Sequence, residues 1–194
     1  MSPPPVRVAV LTSGVGSNMV ALIEASRGTD PAYEVAVVIS NAPDAPALGR
    51  AGALGVEAIA LDHRPFGKDR EAHERAIDAD LRVRGVEVVA LAGYMRILTP
   101  WLVGRWAGRM LNIHPSLLPK YPGLDTHARA LAAGDPEAGC TVHLVTDGVD
   151  EGPILAQASV PVRPGDTPEA LARRVLAEEH ALYPRALAGF CRTF

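Results

Sequence analysis

Short apolar, β-branched runs recur along the chain and alternate with stretches whose apolar positions return every three or four residues. Val6–Leu11 (VRVAVL), Glu34–Ser40 (EVAVVIS), residues 56–61 (VEAIAL), Val86–Ala92 (VEVVALA) and residues 108–114 (GRMLNIH) predict five strands. Residues 19–28 (MVALIEASRG), 44–55 (DAPALGRAGALG) and Asp69–Val83 carry helical spacing between them. A proline-rich loop follows the fifth strand. Beyond it, residues 126–134 (THARALAAG) predict a short helix, and residues 140–146 (CTVHLVT) and 154–162 (ILAQASVPV) predict two late strands. Strands apolar on both faces that alternate with helices predict an α/β fold. The expected form is a Rossmann-like open, mostly parallel sheet with helices on both faces. The two late strands leave no room for a crossover helix, so they are expected to pair antiparallel.

The final helix carries one residue out of pattern. Thr167 suits its N-cap, Pro168 its first turn and Glu169 its dipole. Leu171, Ala172, Val175, Leu176, Leu182 and Ala186 share one arc, and Glu179 falls inside that arc. A carboxylate on a core-facing stripe is costly unless something pairs with it. An arginine partner and a substrate's polar groups are the two readings this leaves.

Two loops carry candidate chemistry. In VLTSGVGSNMVAL, a strand gives way to a glycine loop and then a helix, which aims backbone N–H groups and a positive dipole end at the loop mouth. Gly16, Ser17 and Asn18 open the helix. The dinucleotide fingerprint wants a glycine where Met19 stands, and an acid where Ser40-Asn41 stand, so a phosphate monoester fits better. Asn112 and His114 are two residues apart at the end of a strand and point to one face. With parallel strands, the carboxyl edge gathers this pair, the glycine loop, the segment AGYMRIL and the acidic loop TDGVDEGP, which contains Asp147, Asp150 and Glu151.

Composition narrows the classes. At 194 residues, 48% hydrophobic, the chain suits a single domain, 1–194: a loose tail at 1–5, a phosphate-binding half at 6–100 and a second half at 101–194. A net charge of −3 gives no footprint for nucleic acid or an anionic membrane. The two cysteines lack metal spacing, the start lacks a signal peptide, and no apolar run approaches a membrane span. A reduced, cytoplasmic protein is expected. His114, His127 and His143 match no zinc pattern, so no metal is expected.

SGVGSN, LAGYMRIL, LNIHPSLLPKYPG, VHLVTDGVDEGPIL and EEHALYP together resemble the folate-dependent formyltransferases, in the branch that acts on glycinamide ribonucleotide. The resemblance spans residues 6 to 190 or so. It implies formyl transfer from 10-formyltetrahydrofolate to the amine of glycinamide ribonucleotide in de novo purine biosynthesis. Both are small-molecule substrates, no cofactor is tightly bound, and the protein is a monomer or homodimer. On this resemblance Asn112 and His114 match the residues that stabilise a tetrahedral oxyanion, with Asp150 orienting His114. Gly16, Ser17, Asn18 and Glu179 match ribonucleotide contacts. Arg70, Met95, Arg96, Ile97, Leu98 and Asn112 match the folate pocket, and 101–194, which carries Asn112, His114 and Asp150, is expected to be the folate and catalytic half. Leu91 and Val145 are apolar candidates for the same slot. Asp125 departs from relatives that carry histidine there, and the chain stops early, at Phe194. Rival readings are a methionyl-tRNA formyltransferase, a 10-formyltetrahydrofolate hydrolase and a non-catalytic phosphate-binding module.

Overall fold

The computed structural model describes residues 4–193. Seven strands form one sheet: β1 Val6–Thr12, β2 Tyr33–Ser40, β3 Ala58–Ala60, β4 Val88–Leu91, β5 Met110–His114, β6 Glu137–Leu144 and β7 Ile154–Pro161. Their order across the sheet is β3-β2-β1-β4-β5-β6-β7. The first five run parallel, and β6 and β7 run antiparallel to their neighbours. The expected mostly parallel sheet and late antiparallel pair are both present.

Alternate residues of the central strands feed two cores. Val8 and Val10 of β1 and Val88 and Ala90 of β4 pack under α1 (Ser17–Ala25), α2 (Pro46–Ala53) and α6 (Pro168–Cys191). Ala9, Leu11, Val89 and Leu91 face the opposite way, towards α3 (Arg70–Val83) and α4 (Pro100–Arg105). Both faces are therefore covered, as a parallel sheet requires. The apolar pattern predicts no helix at α4. At six residues it is too short for a 3.6-residue period to show, although Thr99 and Pro100 are ordinary start signals. A short helix, α5 (Thr126–Ala133), forms where expected.

The register of β5 and β6 matters for the site. An antiparallel β6 would ordinarily deliver its following loop to the far edge of the sheet. Here Leu91 lies beside Asn112, and Asn112 beside His143. β6 thus ends level with the carboxyl edge of β4 while its earlier residues overhang that edge. The loop between β6 and β7 stays beside β5 as a result. Gly152 permits this path: a Cβ there would lie 1.7 Å from the Leu144 carbonyl oxygen.

Candidate active site

β1 and β4 are neighbours whose crossovers leave in opposite directions, and such a point opens a crevice at the carboxyl edge. A cleft of about 790 Å³ occupies that edge. It runs from Asn18 and Glu179 on the α1/α6 side to Met95–Leu98 and Val103 on the α4 side, with Asn112, His114, His143 and Asp150 between.

β5 points Asn112 and His114 into the cleft, as their spacing predicts. His143 on β6 stands directly opposite Asn112, and paired residues of antiparallel strands share a face. The Asn112 amide nitrogen lies 3.2 Å from His143 Nε2. His143 Nδ1 faces the Leu144 carbonyl at 2.9 Å, which assigns its proton to Nδ1 and leaves Nε2 to accept from Asn112. Asp150 closes the group. One carboxylate oxygen lies 3.3 Å from His114 Nδ1 and the other 3.5 Å from His143 Nε2, and the Gly123 N–H donates to Asp150 at 2.9 Å. Asp150 takes a left-handed backbone, φ 56°, to aim its carboxylate inward. Burial opposes its ionisation, but the neighbouring His143 ring, the Gly123 N–H and the charge of His114 outweigh that and lower its pKa.

The second nitrogen of His114, Nε2, lies 2.9 Å from the Tyr121 carbonyl. Both ring nitrogens face oxygen acceptors, so the ring fills both contacts only when it carries two protons. The proline loop holds that carbonyl in place through polar staples as well as its prolines. Thr141 Oγ1 accepts from Leu118 N at 3.0 Å and donates to the Ser116 carbonyl at 2.6 Å, and Gln157 donates to the Leu118 carbonyl at 2.8 Å.

At the other end of the cleft, Glu179 is 7% exposed and has no cationic partner among the described residues, which removes the arginine reading. The Asn18 amide donates to it at 2.6 Å. Burial raises the Glu179 pKa and the Asn18 bond only partly offsets this. Asn18 Oδ1 is buried with no partner. Gly16 caps α1 at φ 76°, and a Cβ there would meet Ala47 Cβ at 2.7 Å. The first-turn N–H groups of α1 have no side-chain cap, so they remain open to an anion. Gly16 and Ser17 sit beside the cleft without lining it, whereas Asn18 lines it.

Met95, Arg96, Ile97 and Leu98 line the α4 side together with Leu91 and Val145. Arg70 does not reach the cleft. It donates to the Ile97 carbonyl at 3.2 Å and so supports the rim from α3. Asp125 stands at the mouth with φ 57°. His143 is the functional candidate that sequence reasoning passes over. It looks like strand interior, and its contact with Asn112 appears only once the β5–β6 register is known.

The geometry has a counterpart in known proteins. A family model described as formyl transferase matches residues 6–187. The chain belongs to the formyl transferase family of enzymes. Phosphoribosylglycinamide formyltransferase from Escherichia coli (strain K12) is 46% identical over 183 residues, covering 94% of this chain and 86% of that protein. A trifunctional purine biosynthetic protein, adenosine-3, from Drosophila melanogaster is 46% identical over 94% of this chain, which spans only 14% of that protein's length. The crystal structure of phosphoribosylglycinamide formyltransferase from Brucella melitensis superposes with a TM-score of 0.93 at 51% identity, covering 97% of this chain and 96% of that one. No helix of the described residues is long and apolar enough to cross a membrane.

Proposed function

We propose that this formyl transferase family member moves a formyl group from 10-formyltetrahydrofolate to the amine of glycinamide ribonucleotide, in purine biosynthesis. The observation that carries the reading is the Asp150 carboxylate set between His114 and His143 beside Asn112, in a cleft that also reaches the Asn18–Glu179 pair. The open first turn of α1 suits the ribonucleotide phosphate, and Glu179 and the free Asn18 Oδ1 suit its ribose and amide donors. The apolar walls formed by Leu91, Ile97, Leu98 and Val145 suit a flat folate ring. Both substrates dissociate after turnover, and the site needs no resident cofactor or metal for this chemistry.

The substrate amine attacks the formyl carbon, a C–N bond forms, and the carbonyl electrons move onto oxygen. The Asn112 amide has one N–H held by His143 and a second free to meet that oxyanion. His114 supplies the other donor when its Nε2–H turns from the Tyr121 carbonyl to the formyl oxygen. Asp150 keeps the positive ring in place. Collapse then breaks the bond to folate N10, which takes up the proton lost by the amine.

Assaying transfer from 10-formyltetrahydrofolate to glycinamide ribonucleotide tests the reading. Wild type turns over and His114→Ala loses on the order of a hundredfold in kcat, as removal of an oxyanion donor does elsewhere. Deformylation that ignores the ribonucleotide would instead establish a hydrolase. Binding of the sugar phosphate without any turnover would establish a binding module.

A further inference from the structure

The two ends of the cleft share one residue that the reaction chemistry leaves unused. Ser13 is the first residue after β1 and opens the glycine loop. Its backbone N–H donates to the Gly93 carbonyl at 3.0 Å. Its hydroxyl accepts from the Met95 N–H at 2.8 Å and donates to Asn41 Oδ1 at 2.5 Å. A hydroxyl has one proton to donate, and Asn41 takes it, so the lone pairs are left for Met95. Asn41 is itself 6% exposed, and its amide nitrogen lies 3.3 Å from His63 Nδ1. The relay thus ends on a fixed partner. On one side Ser13 leads into Gly16, Ser17 and Asn18. On the other it holds the first turn of the Gly93–Leu98 segment, where Gly93 has φ 71° and Met95 and Ile97 stand exposed at the cleft rim. The far end of that segment is held separately, by Arg70 at the Ile97 carbonyl and by Glu74 at Thr99 N, 2.8 Å. Ser13 is therefore the point at which the phosphate loop and the apolar rim are joined.

We propose that Ser13 is a positioning residue that couples the two substrate subsites. Ordering of the glycine loop by a phosphate is passed through the Ser13 hydroxyl to the Met95 backbone and pre-sets the rim for the folate ring. Linkage makes the effect reciprocal, so folate tightens the phosphate ligand by the same factor. The inference rests on the assignment of the two ends of the cleft given above.

Calorimetric titration with 10-formylfolate, in the absence and presence of saturating ribose 5-phosphate, reads the coupling without turnover because the sugar phosphate has no amine. In wild type, ribose 5-phosphate is expected to tighten the folate ligand by about fivefold or more, the low end of typical coupling. In Ser13→Ala that ratio is expected to fall below about twofold, whatever the separate affinities become, and Ser13→Thr, which keeps the hydroxyl, is expected to restore it. A local packing defect would weaken either ligand alone and leave the ratio intact, and that result overturns the proposal. So does a wild-type ratio near one. If wild type binds neither ligand, it is the assignment of the cleft that fails.

Discussion

A buried carboxyl group without a cation weakens a protein near neutral pH, and Glu179 is in that position. Burial raises its pKa, so between the ordinary value of about 4.3 and the raised one the folded chain holds more proton than the unfolded chain. Stability contributed by this group therefore falls as pH rises through that window. Glu179→Gln keeps an acceptor for Asn18 and removes the charge. It is expected to raise Tm at pH 7 by roughly 2–4 °C, the shift that about 1 kcal/mol makes in a domain of this size. The same change should raise KM for the ribonucleotide several-fold, and calorimetric melts at pH 5 and pH 7 with steady-state kinetics check both. The residue was legible as an anomaly because one acid interrupts an apolar arc that periodicity defines. Its partner was not, since Asn18 lies 161 positions away and only the packing of α6 on α1 brings it near. Asn112 and His114 were legible because period two fixes a shared face. The resemblance named Asp150, but no local rule places it against His114.

At the level of elements, α3 looks from its sequence like an ordinary solvated helix. Three of its polar side chains, each four residues from the next, grip the opposite segment instead. Arg70 holds the Ile97 carbonyl, Glu74 the Thr99 N–H, and Asp78 the Trp106 indole at 3.0 Å. Their i, i+4 spacing puts them on one face, but sequence does not say whether such a face meets water or a neighbour. The β6–β7 connection shows the same limit. Two strands and a polar loop were readable, whereas the offset register that keeps Asp150 beside β5 was not. Gly152→Ala tests that loop. Its Cβ would collide with the Leu144 carbonyl, so the hairpin must shift and carry Asp150 with it. The expected result is a loss in kcat of roughly tenfold to a hundredfold, in line with the cost of ångström-scale misplacement, with far-UV circular dichroism unchanged. Wild-type kcat in this variant would separate the loop from the placement of Asp150.

Across the whole molecule, the segment between β7 and α6 is tied down by Asp166 and Arg174, whose charged atoms lie 2.7 Å apart, and Arg174 also donates to the Pro161 carbonyl at 2.6 Å. The hydrogen bonds from Arg174 and from the Arg163 N–H lower the Asp166 pKa to about 2. A depressed carboxyl pKa stabilises fully above the unfolded value of about 3.9 and ceases to do so as pH falls towards about 2. Arg174→Ala should therefore lower Tm at pH 7, and the gap from wild type should narrow towards pH 2, leaving what the Pro161 carbonyl bond contributes, as thermal melts at the two pH values would register. The helix that this pair anchors also carries Glu179, and so links the last part of the chain to the first. Asn18 leaves the ribosome early, but the carboxylate it holds is translated 161 residues later, an interval on the order of ten seconds at ordinary elongation rates. Until α6 is complete, the nascent chain has a glycine loop whose Asn18 lacks its carboxylate partner, so phosphate metabolites meet a finished cradle only after residue 179 has been made.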